Sequence, residues 1–313
     1  MKKMSLLTRI SAMVFLASIA FVGCKKETSE SLTPQQEEEA VTASSESETE
    51  NELVFNDVFD NVMGVSPQVA VGGTGVFEKA ISNDVRGGRE MGMDSVLPCV
   101  TVTLTHLTAG QDFPLKVVID FGTAGCLGRD GHRRYGQMII VYTGRLIIPG
   151  KSATTSFERF RIDDISVVGK HVITNTTGNT TGSNMLQYTI DVTDAKLSKP
   201  NGNYSIWNSH RVITQTEGNG TILPIDDVFK ITGSARGKVK HGDMLYGWVS
   251  EITEPLIKKF SCHWISKGII RVKRENLSDT SVWVATLNYG NGNCDFLATL
   301  TINGVEHQIQ LPH

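Results

Sequence analysis

The chain has 313 residues, 40% of them hydrophobic and 20% charged, with a formal net charge of −3. That is room for one large β domain or two smaller ones with a sizeable core. The near-neutral balance gives no electrostatic case for nucleic-acid binding, and no nucleic-acid partner is expected.

The first 23 residues read as a secretory leader. Lys2, Lys3 and Arg9 form a positive start, and Ile10 to Val22 form an apolar stretch in the signal-peptide range. The stretch is too short to span a bilayer comfortably. It ends in Phe21-Val22-Gly23-Cys24, which resembles the lipobox of bacterial lipoproteins. The resemblance implies cleavage before Cys24 and lipid on that cysteine, with the membrane as a partner through the lipid.

Residues 24–52 follow. Past Cys24 this stretch holds nine Glu against two Lys and almost no apolar residue. Such a composition cannot offset the entropy of folding, so it reads as a disordered tether. Residues 53–94 read as a helix plus an irregular segment. Phe55, Val58, Phe59, Val62 and Met63 make one apolar stripe, with Asn51 as a cap and Gly64 as a stop. Gly72-Gly73-Thr74-Gly75 lacks the ending of a phosphate loop and reads as a flexible loop.

Residues 95–313 read as a β-rich domain. Val100–Thr105, Leu186–Ile190 and Ala298–Ile302 alternate with period two, and Asn303-Gly304 is a hairpin signal. Further strands are expected over Leu115–Phe121, Met138–Ile148, Thr154–Phe160, Tyr204–Thr216, Val228–Gly233, Met244–Ile252, Gly268–Arg274, Ser281–Tyr289 and His307–Leu311. The fold class is mainly β: antiparallel sheets, as a sandwich or an extended meander, with one short N-terminal amphipathic helix.

Four cysteines remain besides Cys24: Cys99, Cys126, Cys262 and Cys294. An even number in an exported chain suggests disulfides, and four cysteines allow three pairings. Local context favours one of them. Cys126 and Cys294 each follow an Asp/Asn-aromatic-Gly triplet, Asp120-Phe121-Gly122 and Asn288-Tyr289-Gly290, and each precedes an apolar strand. This echo points to Cys99–Cys126 and Cys262–Cys294 in two related halves. Each bridge would close a loop worth roughly 3–4 kcal/mol in the chain-entropy model. The close Cys spacing of zinc sites is missing, so no metal is expected.

The segment Ile119-Asp120-Phe121-Gly122-Thr123-Ala124-Gly125-Cys126, continuing through Gly128-Arg129-Asp130-Gly131-His132-Arg133-Arg134 to Gly144-Arg145, resembles one common in uncharacterised β-rich lipoproteins of the Bacteroidota. The closing Asn288-Tyr289-Gly290-Asn291-Gly292-Asn293-Cys294 and Thr299–Gly304 are similar to the end of that family. The resemblance implies an outer-membrane lipoprotein on the cell surface or the periplasmic face. It implies no activity and no cofactor.

Few residues offer chemistry. His132, Arg133 and Arg134 form a basic turn that could grip an anionic group, since Arg makes bidentate bonds to such groups. Trp207, flanked by Ser205, Asn208 and Ser209, could stack on a sugar ring. Asp163-Asp164 and Asp226-Asp227 are adjacent carboxylates, which point to opposite faces of a strand and so suit turns and caps better than catalysis. Neither a nucleophile elbow nor a zincin motif occurs, and no catalytic residue is assigned. The sequence therefore reads as a lipid-anchored envelope protein that is a non-catalytic binding or structural module. Its partner would be a glycan or another envelope protein. The alternative is a hydrolase of an extracellular glycan or polymer.

Overall fold

The computed structural model describes residues 32–77, 97–178, 185–219, 221 and 224–311. The leader, Cys24 and residues 78–96 lie outside the described residues.

One long helix, α1 (Pro34–Gly64, 31 residues), starts at a capping box. The Thr33 hydroxyl accepts from the Gln36 N–H, the Gln36 side chain accepts from the Thr33 N–H, and Pro34 follows the cap. The tether expected over residues 24–52 is thus corrected: from residue 34 onward this stretch is helix, and much of it is buried. The composition argument counted apolar area alone. Here the polar side chains find partners. Ser44, Ser45 and Thr49 donate back to carbonyls four residues earlier, and the glutamates reach cations on distant strands.

Among the described residues fourteen strands form the sheet on which this helix packs. They are β1 (Thr101–His106), β2 (Leu115–Asp120), β3 (Cys126–Leu127), β4 (Arg133–Tyr142), β5 (Ser152–Ile162), β6 (Ile165–Asn175) and β7 (Gln187–Ser198). They continue as β8 (Tyr204–Glu217), β9 (Val228–His241), β10 (Met244–Lys259), β11 (Lys267–Arg274), β12 (Ala285–Asn291), β13 (Leu297–Ile302) and β14 (Val305–Gln310). All belong to one antiparallel sheet that is not closed into a barrel. The order is a meander from β1 to β14, with β3 paired only to β4. The fold is mainly β as expected, with antiparallel strands in meander order and a β-sandwich-like arrangement. β6 was not expected. Its outward positions include Val168 and Val172, so its alternation is blurred.

The sheet bends around the helix at bulges. Register shifts fall between Ser156 and Arg161, Val168 and Lys170, Val192 and Ala195, and Ile252 and Glu254. Bulges bend strands and increase their twist. Gly233 sits at such a bend with φ 130°, where a Cβ would lie 2.1 Å from the His210 carbonyl oxygen. The disulfides Cys99–Cys126 and Cys262–Cys294 pair as expected, with Cα separations of 5.4 and 5.7 Å.

Inside the bend, alternate strand residues face α1. On β8 these are Ser205, Trp207, Ser209, Arg211, Ile213 and Gln215, all buried. Phe59 packs with Tyr188, Phe229 and Phe260, and Phe55 stacks on Trp207 and His171. The centre of this core is charged. Glu48 is fully buried and its carboxylate accepts from Trp207 Nε1 (2.9 Å), Trp248 Nε1 (3.0 Å), Ser250 Oγ (2.7 Å) and Arg211 Nη2 (2.9 Å). Arg211 also donates to Glu52. Burial works against the Arg211 charge, but Glu52 and Glu48 outweigh it and its pKa rises.

Glu48→Ala removes the acceptor of four buried donors and leaves Arg211 with Glu52 alone. Stability should fall by about 3–5 kcal/mol, the usual cost of breaking a buried charged pair. Urea unfolding of the two proteins measures this. A loss within experimental error would show that the Glu48 cluster does not hold the helix in place.

Candidate functional site

The four candidate ligand contacts do not meet on a surface. Trp207 was expected to be the exposed aromatic, but only 1% of it is accessible; its ring lies on Phe55 at 5.5 Å and its N–H goes to Glu48. Period two puts Trp207 on the same face as Ile213, which is the face toward α1.

The basic turn is also turned inward. Arg134 is buried and donates to Asp57 on α1 and to Asp130 in the turn. Burial opposes its charge, but Asp57 and Asp130 more than compensate and raise its pKa. Burial pushes the Asp130 carboxyl up, but Arg134, His263 and His132 outweigh it and hold the pKa below its ordinary value. The Arg133 N–H donates to Asp163 (2.8 Å), and its guanidinium reaches the Gly125 carbonyl. His132 Nδ1 lies 2.7 Å from Asp163 and its Nε2 lies 3.1 Å from Nε2 of His263. The turn therefore bonds to the protein itself and is no anion grip. Asp163 sits in the β5–β6 turn, bonded as above, while Asp227 accepts from Gln215 and Asp226 from Thr221.

The Asp163–His132–His263 row joins two chain segments 131 residues apart, next to the Cys262–Cys294 bridge. An Asp–His pair can orient a base toward a nucleophile. Here the next hydrogen-bond partner is an imidazole, so the row ends on a second ring and reaches no hydroxyl or thiol among the described residues. Burial is the main cause that lowers His263 to about 4, against the pull of Asp130. Among the described residues no group of three or more His, Cys, Asp or Glu could hold a metal ion.

The open concavity lies on the outward face. It is a groove of roughly 790 Å³ across β7 to β11. Register aligns Asp191, His210, Ser234, Glu251 and Arg271 as one row over five strands. Asn208, Arg236, Val249 and Lys273 form the next row. Small Ser234 leaves the middle of the trough low. His210 pairs with Asp191 (2.7 Å), and Lys273 and Arg271 hold Asp279 at the rim. The Lys273 hydrogen bond keeps the Asp279 carboxyl below its usual range. Exposed Arg236 has no hydrogen-bond or ion-pair partner among the described residues. Sequence reasoning missed this groove, because its residues come from five strands and meet only through register.

A second groove of about 490 Å³ lies over β2, β4, β5 and β6. Of its two aromatic residues, Phe160 is buried and Tyr135 is capped by the Arg161 guanidinium at 4.0 Å, so that ring face is already taken.

Comparison with protein-family models, with curated proteins and with solved structures gives no match for this chain.

His263 should stay neutral far below the ordinary histidine range. The unfolded chain takes up a proton near 6.5 that the folded ring refuses until about 4. Its contribution to stability is therefore complete above pH 6.5 and is lost as the pH falls toward 4. A histidine NMR titration should show two rings unprotonated at pH 5.5, His171 (burial pushes it down to about 3) and His263, and the signal of one of them vanishes in His263→Gln. Titration of that ring near 6.5 would contradict the buried His132–His263 contact.

Proposed function

We propose that this chain is a lipid-anchored cell-envelope protein that binds an acidic glycan in its outward groove, without acting on it. The observation that carries this reading is the row-on-row alignment of His210, Arg236, Arg271 and Lys273 over one open trough, with Arg236 free of partners among the described residues. Guanidinium groups bind carboxylates and sulfates bidentately. Asp191, Glu251 and Asn208 stand among them as acceptors and donors for sugar hydroxyls. A trough open along its length suits a chain rather than a small enclosed molecule.

The anchor remains a reading of the lipobox at Cys24. Two disulfides fit an oxidising compartment outside the cytoplasm. No helix among the described residues is long and apolar enough to cross a membrane. With α1 starting at Pro34, the linker from Cys24 is residues 25–33. The body would sit on the cell surface or the periplasmic face.

Binding to a panel of acidic and neutral polysaccharides tests the reading. Acidic members should bind, and Arg236→Ala should weaken them about tenfold, or about 1.4 kcal/mol. Binding that ignores charge and survives Arg236→Ala would discard the groove as the site.

A further inference from the structure

Lys258 on β10 is 1% exposed, and its Nζ lies 2.8 Å from Oδ2 of Asp60 on α1. The two residues are 198 positions apart in the chain. A buried lysine in contact with a half-buried aspartate is either one side of an ion pair or half of an amide. The surroundings bear on which. Phe260 lies 5.9 Å from the ammonium, and Phe59 and Phe229 pack on Phe260. Asp60 Oδ1 is buried without a hydrogen-bond partner, so the carboxylate lacks the second donor that would stabilise its charge. Burial lifts Asp60 to about 6 in spite of Lys258 and Arg134, and Asp57 adds to the rise. Amide formation requires the Lys258 proton to pass to Asp60, which exchanges two charges for a neutral amine and a neutral acid, and apolar surroundings carry no charge of their own to oppose it.

We propose that Lys258 and Asp60 join as an intramolecular isopeptide bond between α1 and β10. The neutral Nζ attacks Cγ of the protonated Asp60 carboxyl. The C–N bond forms, the C–OH bond breaks, and one Nζ proton leaves with the hydroxyl as water. No oxidant, reductant or leaving group beyond that water is needed. Asp57 stands one helical turn before Asp60, and both of its carboxylate oxygens are held by Arg134. The charged groups facing the pair are Asp57 and Arg134, and the titratable His263, neutral above about 4, lies beside Lys258. The inference stands apart from the glycan reading, since it concerns the inner face of the sheet.

The test is the mass of the full folded chain and a map of its reduced peptides. The expected result is a mass one water below that of the disulfide-bonded sequence, with the Asp60 and Lys258 peptides joined and no tryptic cut after Lys258. Lys258→Arg keeps the charge and should restore the full mass and separate peptides. A full-mass wild type with Lys258 and Asp60 on separate peptides overturns the proposal. So does a lost water that maps to a single peptide, which would be a cyclised side chain elsewhere. The wild-type measurement decides the matter even where Lys258→Arg does not fold.

Discussion

A carboxylate with no access to water is the constraint around which this structure is arranged. Glu48 can sit at the centre only because four donors from β8 and β10 meet its two oxygens. Trp207, Arg211, Trp248 and Ser250 must therefore stand on the inward face and at one height along the helix. That requirement fixes the register of α1 against the sheet more tightly than apolar packing does, because a sliding apolar contact loses little and a misplaced charge loses its partner. The other pairs repeat the device along the helix. Glu37 meets Arg274, Glu52 meets Arg211, Asp57 meets Arg134 and Asp60 meets Lys258.

This explains what could and could not be seen from the residues alone. The strands were legible because period two survives in most of them, and the cysteine pairing was legible from the two similar triplets. The start of α1 was written in Thr33-Pro34 and Gln36, a capping box with a proline after the cap. Low apolar content hid it. An acidic, serine-rich stretch is ordinarily solvated, and nothing local reveals that Arg211 or Arg274 waits more than 150 residues away to neutralise it. Trp207 misled for a related reason. Its Ser and Asn neighbours suggest a wet surface, but Ser205 and Ser209 share its face and are themselves buried. Only Asn208 points outward, toward the groove.

The two faces of the sheet have divided their charges by this logic. Inward cations are matched to helix carboxylates and are unavailable to a ligand. On the outward face the cations pair with neighbouring carboxylates, His210 with Asp191 and Lys273 with Asp279, and Arg236 is the one in the groove left for solvent or for a binding partner among the described residues. Arg236 shows the division clearly: its neighbours Ala235 and Gly237 make room for the core, and the Gly237 Cα lies against the Trp248 ring, where a Cβ would come within 2.3 Å. The small residues that admit the large indole inside thus also set the height of the cation outside. A substitution that disturbs the core at Trp248 should disturb the groove as well, although no core residue touches the trough.

The course of the chain gives the helix a mechanical meaning. If Cys24 carries lipid, a pull between membrane and body enters the molecule at Thr33 and runs along α1. From Glu37 to Asp60 the helix spans roughly 35 Å at 1.5 Å per residue. Its ion pairs with the sheet lie across that path, so the load would be shared among them in shear rather than unzipping the meander strand by strand. An ion pair can nevertheless be pulled apart and replaced by water. A covalent link at the far end of the series, between Asp60 and Lys258, would change the failure mode: the helix could lose its polar pairs under load and still be retained by the sheet. The anchor and the groove would then belong to one covalent unit through the core as well as through the backbone.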